Sequence, residues 1–360
     1  MIPRRSLLAL LAAGAALPLR RTQASELPQE RLPMPSGGTP GLLVAGNQSA
    51  MADRGGPVLP GALAQGLGLP APLPVRSTVG QDGVTGANLF DTQFATDGMM
   101  ALAAPGSVLV SALCGDPRIH FDSSRWLPLM LCMTAPVVIG RAQLHRSLGN
   151  FMRDRPVRIA VSTLTGLELP TVVAMTLFGL RPIPVTGLAT PEAAAAALRD
   201  NQVDVIQIND PLGTPETTAL IRTLGQAGFP ALFSLTTGGG SLRLADQDIM
   251  SMEARLAQDA RSGLTSLLYA AWKPLAGAAA VDLALVLPML TQPATLARWR
   301  AATTLALQDN AMQALTHGTG RTMLTGAEAT AALHTISGDT SSIMTLRRWL
   351  ASKLPVWRLD

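Results

Sequence analysis

The stretch VGQDGVTGANLF, residues 79–90, places Gly80, Gly83 and Gly86 at three-residue intervals between an extended run and a predicted helix. Glycine permits positive φ and leaves main-chain N–H groups unshielded, so this loop is suited to hold an anion. The spacing does not fit a nucleotide loop, which needs G-x-G-x-x-G, or G-x-x-x-x-G-K followed by Ser or Thr. A tight turn without a ligand stays open as the structural alternative, because Gly is common in turns.

On both sides of this loop, short apolar runs rich in Val, Ile and Leu alternate with Ala-rich amphipathic stretches. The runs are GLLVAGN at 41–47, PLPVRSTV at 72–79, VRIAVST at 157–163, PIPVT at 182–186, VDVIQI at 203–208 and ALFSL at 231–235. This alternation predicts an α/β fold with mostly parallel sheets flanked by helices. Thr-Pro-Glu at 190–192 and at 214–216 predicts two helix starts. From Ala278 onward the apolar spacing is mostly helical.

The first 24 residues are typical of a cleaved export signal. Arg4 and Arg5 precede an apolar run that is too short to span a bilayer, and Thr22-Gln23-Ala24 offers a cleavage site. The paired arginines resemble a twin-arginine signal, and a general secretory signal stays open as the other route. Both routes predict a periplasmic protein. Residues 25–40, which include SGGTPG, predict an extended leader.

Removal of the signal changes the charge of the chain. The full sequence has 28 Lys and Arg against 24 Asp and Glu, and residues 1–24 hold four arginines and no acid. The mature chain therefore has 24 of each sign and a formal net charge of zero. No basic surface is predicted, so we expect no nucleic-acid partner. No apolar run of transmembrane length follows the signal.

The sequence predicts neither a metal site nor a cofactor. Its histidines are scattered and form no cluster with zinc spacing: His120, His145, His317 and His334. In an oxidising compartment, Cys114 and Cys132 could form one disulfide or serve as small buried hydrophobic residues, and spacing does not decide between them.

Catalytic signatures are also missing from the sequence. It contains no G-x-S-x-G, S-x-x-K or H-E-x-x-H motif. Asp204, in QVDVIQI, is a conceivable general base, but no His or Cys partner lies in the same motif. An Asp next to a turn more often forms local hydrogen bonds with the main chain. We therefore predict that the protein is not an enzyme.

The order of these segments resembles the Bug, or TctC, family of periplasmic solute-binding proteins. In order along residues 41–337, the family motifs correspond to VGQDGVTGANLF, ATDGMMALAAPGS at 95–107, STLTGLELP at 162–170, NQVDVIQIND at 201–210, ALFSLT at 231–236 and the closing stretch at 306–333. Each motif alone is weak, and their shared order carries the resemblance. The sequence departs from the family in GNQSAMADRGG at 46–56, in VTGLAT at 185–190 and at Ile208, where the family commonly has an acid.

The resemblance implies a two-domain clamp in which each domain is a mostly parallel sheet flanked by helices, with a helical C-terminal tail. Its segments would be the signal peptide 1–24, the leader 25–40, domain 1 at 41–132 plus 262–336, domain 2 at 133–261 and the tail at 337–360. Such a protein captures a small carboxylate between its domains and passes it to membrane subunits of a tripartite tricarboxylate-type transporter. We expect a monomer. An exported sensing or scaffold protein with the same fold stays open as the alternative, and an exported enzyme is a weaker one.

In this family the carboxylate is held by main-chain N–H groups and ordered waters rather than by an arginine. In open α/β sheets, loops that follow strands and precede helices converge at one crevice. The predicted ligand site is therefore formed by the loop around Ser49, the loop from Gly80 to Gly86 and the loop from Ser162 to Gly166. The predicted ligand-binding residues are Ser49, Gly80, Gly83, Thr85, Gly86, Ser162, Thr163, Thr165, Gly166 and Asp204. No catalytic residue is predicted.

Overall fold

The structure is a computed structural model. It describes residues 40–46, 58–80, 82–94, 98–147, 156–237, 241–244, 247–258 and 266–357. The predicted signal peptide, the leader and Ser49 lie outside the described residues. Residues from Pro40 to the C-terminus form one compact unit.

The chain alternates strands and helices along most of its length. The strands are β1 (Gly41–Ala45), β2 (Val75–Thr78), β3 (Met100–Ala104), β4 (Leu127–Met133), β5 (Val137–Gly140), β6 (Pro156–Ala160), β7 (Arg181–Val185), β8 (Val205–Ile208), β9 (Ala231–Ser234), β10 (Ser241–Leu244), β11 (Gln247–Met250), β12 (Val281–Leu287) and β13 (Thr322–Thr325). The helices are α1 (Val58–Gly66), α2 (Val84–Gln93), α3 (Gly106–Cys114), α4 (Ala142–Ser147), α5 (Leu169–Leu177), α6 (Pro191–Arg199), α7 (Pro215–Gln226), α8 (Met252–Ala257), α9 (Leu267–Ala279), α10 (Pro293–Ala306), α11 (Asn310–Thr316), α12 (Gly326–Ser337) and α13 (Thr340–Trp357).

The strands form two large sheets and one hairpin. The six-stranded sheet has the order β13-β4-β12-β3-β1-β2, and the five-stranded sheet has the order β7-β6-β8-β5-β9. In the first sheet β1 to β4 run in one direction and β12 and β13 in the other, while in the second sheet only β5 is reversed. The predicted fold class of mostly parallel sheets flanked by helices, with a C-terminal helix, is confirmed. The domain boundaries stay a prediction.

Local sequence explains most of the elements. Each of the six predicted apolar runs overlaps a strand. Both Thr-Pro-Glu segments begin helices, because the hydroxyl oxygen of Thr190 accepts from Ala193 N at 3.2 Å and that of Thr214 accepts from Thr217 N at 3.4 Å.

The expectation of a mostly helical stretch from Ala278 onward missed two strands. β12 crosses the middle of the six-stranded sheet and β13 forms one edge of it. The sequence of β12, VDLALVL, is almost entirely buried. A strand that is buried on both faces has a continuous apolar sequence, which periodicity alone does not separate from a buried helix.

Helices α9 and α13 touch elements of both large sheets. The indole N–H of Trp272, in α9, donates to the carbonyl of Pro170 at the start of α5. The indole N–H of Trp357, at the end of α13, donates to the carbonyl of Pro182 in β7, while Arg347 of α13 donates to the Leu113 carbonyl at the end of α3. Among the described residues, no helix is both long enough and apolar enough to cross a membrane.

Candidate functional site

The predicted anion loop after β2 is packed against a neighbouring loop. Gly80 and Gly83 have φ angles of 116° and 76°, which favour glycine, and Gly80 is exposed. A Cβ added at Gly46 would lie 2.6 Å from the Gly80 carbonyl oxygen, and one added at Gly83 would lie 2.8 Å from Cγ2 of Val108. The space beside Gly83 is therefore filled by the protein itself, whereas a Cβ added at Gly80 would meet no atom closer than 3.8 Å.

Gly86 has a different structural role. It lies in the first turn of α2, and an added Cβ would lie 2.5 Å from Oγ1 of Thr78 and 2.7 Å from Cα of Ala45. Gly86 therefore lets α2 pack closely on β1 and β2. Its neighbour Thr85 is exposed on the same turn.

The N-terminus of α2 already has an anionic partner from the protein itself. Oδ1 of Asp82 accepts from Val84 N at 3.3 Å, and the same carboxylate is 2.6 Å from a guanidinium nitrogen of Arg118. The main-chain carbonyl of Asp82 accepts from the hydroxyl of Ser107. The α2 terminus thus has less capacity for an external anion than its glycines alone suggest.

The loop after β6 is built around a buried carboxylate. Oε2 of Glu168 accepts from Ser162 N at 3.1 Å and from the Ser162 hydroxyl at 2.8 Å. Glu168 is only 8% exposed. A Cβ at Gly166 would clash with the Ser162 hydroxyl and lie 2.8 Å from Oε2 of Glu168, so Gly166 gives this pair its space.

Burial has an electrostatic consequence for Glu168. Desolvation raises the pKa of Glu168, and the hydrogen bonds from Ser162 oppose that rise without cancelling it. The five described salt bridges do not include Glu168. A carboxylate buried in this way is a candidate for interaction with a ligand.

Glu168 lines a cavity of about 320 Å³ at the carboxyl ends of β6 and β8. The cavity is lined by Ala160, Ser162, Leu167, Glu168, Leu188, Ala189, Thr190, Pro191, Ala194, Gln207, Asn209 and Asp210. This position, beyond the carboxyl ends of strands and beside the N-terminus of α6, is where ligands collect in open α/β sheets. A larger cavity, of about 730 Å³, is lined by residues of α9, α12 and α13 and their adjoining loops, with no strand end, so we place the candidate site at the smaller one.

A polar network holds the far wall of the smaller cavity. The amide of Gln207, in β8, donates to the carbonyl of Leu167 at 2.8 Å and to Oδ1 of Asn209 at 2.5 Å, and its oxygen accepts from the buried hydroxyl of Thr171 at 2.6 Å. Gln207 therefore ties β8 to the loop that carries Glu168. The network fixes the position of Asn209 at the cavity wall.

Asp204 does not line this cavity. It precedes β8, at the end of the strand away from Asn209, and accepts from Nε of Arg141 at 2.9 Å and from Nε of Arg158 at 3.1 Å. The side-chain oxygen of Asn201 accepts from both arginines. Burial raises the pKa of Asp204, but the hydrogen bonds from Arg158 and Arg141 outweigh it and lower the pKa overall. We therefore assign Asp204 to the structure of the α6–β8 turn rather than to the ligand site.

Of the predicted site residues, Ser162 and Gly166 meet at Glu168. Thr163 is exposed and Thr165 half-buried in the same loop. Besides Asp204, seven of the predicted residues do not line the cavity: Gly80, Gly83, Thr85 and Gly86 of the first loop and Thr163, Thr165 and Gly166 of the second. Sequence reasoning missed Glu168, Gln207 and Asn209. The only signal for Glu168 was an acid within the apolar run LELP.

The described residues contain no group of three or more His, Cys, Asp or Glu side chains suited to hold a metal. Cys114 and Cys132 are free cysteines. Instead of a disulfide, Cys132 is buried beside Asp282, with 3.9 Å between its Sγ and Oδ2 of that acid.

Solved structures resemble this fold, although no family profile and no curated protein matches the chain. A TctC solute-binding protein from Polaromonas is 13% identical, with 89% of this chain and 100% of that chain covered and a TM-score of 0.59. The periplasmic binding protein BugD is 14% identical, with 87% and 97% covered and a TM-score of 0.53. MatC from Rhodopseudomonas palustris, with bound malate, is 14% identical, with 86% and 98% covered and a TM-score of 0.51. The chain has the fold of the Bug and TctC binding proteins, as its motif order predicted.

Proposed function

We propose that this protein, which has the Bug/TctC fold, is an exported solute-binding protein that captures a small carboxylate-bearing metabolite. The observation that carries the proposal is the cavity beyond β6 and β8, which is lined by polar groups and lies where this fold class binds ligands. MatC, a protein of the same fold, holds malate. Binding rather than catalysis is the expected activity, since the cavity-lining residues include no His, Cys or Lys that could act as a nucleophile or base with Glu168.

The ligand's carboxylate would lie against the loop from Ser162 to Gly166. The hydroxyls of Thr163 and Thr165 and the free main-chain N–H groups of that loop are its donors in this proposal. The loop from Gly80 to Gly86, together with Ser49, would close over the ligand from the other sheet. Hydrogen bonds from neutral groups avoid the cost of desolvating an ion pair.

Closure of the two predicted domains on the ligand would be the functional event. Trp272 joins α9 to α5, and Trp357 joins α13 to β7, so in this proposal they mark where the two predicted domains stay connected. A ligand that contacts both domains stabilises only the closed arrangement. Ligand binding should therefore make the molecule more compact and raise its melting temperature.

A panel of mono-, di- and tricarboxylates tests this proposal. At least one should raise the melting temperature in a concentration-dependent manner and reduce the radius of gyration in small-angle scattering. If no carboxylate produces either change, a sensing or scaffold role would replace solute capture. Mass spectrometry of ligand retained by the purified native protein would identify the metabolite directly.

We also propose that the protein works in the periplasm and delivers its ligand to subunits of a tripartite tricarboxylate-type transporter. N-terminal sequencing of the periplasmic fraction should find a mature chain that begins near Ser25. Replacement of Arg4 and Arg5 by Lys should block export only if the twin-arginine route is used. Uncleaved protein in the cytoplasm would contradict both the location and the transport role.

A further inference from the structure

Helix α13 is part of the apolar core that the two large sheets share. Its residues Leu346, Leu350 and Trp357 are buried and lie four and seven residues apart, so they form one stripe along the helix. The same core contains Leu102 of β3 and Ile159 of β6, which are strands of different sheets. The position of α13 is therefore tied to the six-stranded sheet and to the five-stranded sheet.

The first polar attachment of α13 is to the side of the six-stranded sheet. Arg347 donates from Nε to the carbonyl of Leu113 at 3.2 Å and from Nη2 to the carbonyl of Ala112 at 2.9 Å. Both carbonyls are at the end of α3, which directly follows β3. A cation on the last carbonyls of a helix is favoured by the helix dipole. Gly115 gives the guanidinium its space, since a Cβ there would lie 2.8 Å from Nε of Arg347.

The second polar attachment is to the five-stranded sheet. The indole N–H of Trp357 donates to the carbonyl of Pro182 at 3.2 Å. Pro182 lies in β7, which is the outermost strand of its sheet. The ring of Trp349 lies edge-on to that of Trp357, with 5.6 Å between their centroids. Because Pro355 has no N–H to donate within the last turn of the helix, these contacts of Trp357 hold the end of α13 in place.

The part of α13 between the two attachments is a spacer of fixed length. Arg347 and Trp357 are ten residues apart in one helix. At a rise of about 1.5 Å per residue this separation is about 15 Å, and a helix cannot lengthen without breaking its own hydrogen bonds. If the five-stranded sheet moved away from the six-stranded sheet, α13 could not follow both, and one of its attachments would break.

We propose that α13 is a strap that limits how far the two predicted domains separate when no ligand is bound. Arg347 attaches the strap to one domain and Trp357 attaches it to the other. The family motifs in the sequence end at residue 333, so the segments that resemble the family do not include this restraint. The inference rests on the domain closure of the proposed function, but its test needs no ligand.

Small-angle scattering of the unliganded protein and of matched variants tests the strap. Trp357→Ala removes one attachment and Arg347→Gln removes the other. The controls are Val356→Ala and Arg348→Gln, which change the exposed neighbours of these residues on the same helix. Trp357→Phe keeps an aromatic ring and removes the N–H donor, and it remains informative if Trp357→Ala does not fold. Far-UV circular dichroism and melting temperature would verify that each variant folds.

Trp357→Ala and Arg347→Gln should each increase the radius of gyration by about 1 Å from the value of about 20 Å that is typical of a compact chain of this length. Trp357→Phe should give a smaller increase, and the two controls should give none. Trypsin should cleave at Arg348 and Lys353 no faster in these variants than in the unmodified protein, because α13 stays attached at its other end.

An unchanged radius of gyration in the folded Trp357 and Arg347 variants would overturn the strap, and so would an equal increase in the controls. Rapid cleavage within α13 would also overturn it, since the larger radius would then come from a detached helix rather than from separated domains. None of these results affects solute capture, which the carboxylate panel tests independently.

Discussion

The loops after β2 and β6 occupy equivalent positions, since each follows a parallel strand and leads into a helix. Both sequences contain glycine and small polar residues, and both were predicted to bind the ligand. In the first loop, the space beside Gly83 is filled by the Ala45 carbonyl and the side chain of Val108, while a Cβ at Gly80 would meet no atom closer than 3.8 Å. In the second loop, Gly166 makes room for a hydrogen-bonded pair of polar side chains at the wall of a cavity. Glycine spacing alone therefore does not identify a ligand loop, because what lies next to each missing side chain decides its purpose.

The carboxylates in the two loops also differ. Asp82 of the first loop binds the N-terminus of α2 and pairs with the exposed Arg118, which also pairs with Asp116. Glu168 of the second loop is buried, and its carboxylate accepts from Ser162 and from its own main-chain N–H. The carboxylate of the first loop thus has a cation beside it, whereas the carboxylate of the second loop is in none of the described salt bridges and lines a cavity. The ligand's binding energy should come mainly from the second loop.

The largest effect on stability is expected for Gly83→Val. The left-handed φ of 76° is unfavourable for Val, and the new Cβ would lie 2.8 Å from Cγ2 of Val108 and 3.0 Å from the Ala45 carbonyl. Strain and overpacking together should lower the free energy of unfolding by about 3 kcal/mol. Urea denaturation measures this change. A loss below about 1 kcal/mol would mean that the first loop is loosely packed and free to bind a ligand.

Gly86→Ala should have the next largest effect, and Gly225→Ala is its matched control. Both glycines are inside helices, but a Cβ at Gly86 would lie 2.7 Å from Cα of Ala45, while a Cβ at Gly225 meets nothing within 4 Å. Gly86→Ala should lower the free energy of unfolding by about 2 kcal/mol through overpacking. Gly225→Ala should raise it by about 0.5 to 1 kcal/mol, because Ala is the better helix former. Equal effects of the two changes would show that close packing of α2 does not explain Gly86.

The elements of this fold were largely predictable, because they depend on local patterns. The apolar runs located β1, β2 and β6 to β9, and Thr190 and Thr214 marked helix starts by capping chemistry that acts within four residues. The central strand β12 was missed since its continuous apolar run fits a buried helix equally well. The order of weak motifs identified the fold where no single motif could.

The site was less predictable, because it depends on contacts between distant segments. Asp204 belongs to a network with Arg141 and Arg158, which precede it by 63 and 46 residues, and nothing in QVDVIQI reveals those partners. Glu168 is six residues from Ser162, yet its importance depends on burial beneath α5 and β8, which the sequence does not show. Residue type predicted which groups could bind an anion, but only the fold shows which of them are already used.

Matched substitutions in the two loops should also differ in their effect on ligand affinity, and this difference should be smaller than the differences in stability. Thr165→Val removes one hydroxyl from the second loop at nearly constant volume and should weaken carboxylate binding by about 1 to 2 kcal/mol. Thr85→Val is the matched change in the first loop, where the hydroxyl is exposed, and should change affinity by less than about 0.5 kcal/mol. Calorimetry with the identified ligand measures both. A larger effect at Thr85 would move the carboxylate to the first loop.

The smallest effect is a difference in pH dependence between the buried Glu168 and the half-buried Asp204. The folded protein has a raised pKa for Glu168, so this residue holds its proton more tightly in the folded state than in the unfolded state. Its contribution is most favourable below its unfolded pKa, near 4.5, and is lost as pH rises through the folded pKa. The pKa of Asp204 is lowered instead, so its contribution is present above its unfolded pKa, near 3.8, and is lost as pH falls through the folded pKa.

Substitution of each acid by its amide should therefore change the stability profile in opposite directions. Relative to the unmodified protein, Glu168→Gln should gain stability as pH rises above about 4.5, because the amide never ionises in the buried site. Asp204→Asn should lose stability over the range in which Asp204 ionises, because Arg141 and Arg158 then lack their carboxylate. Urea denaturation at a series of pH values from 3 to 8 measures both profiles. Parallel profiles for Glu168→Gln and the unmodified protein would contradict the raised pKa of Glu168 and would indicate that a cation within the protein balances its carboxylate.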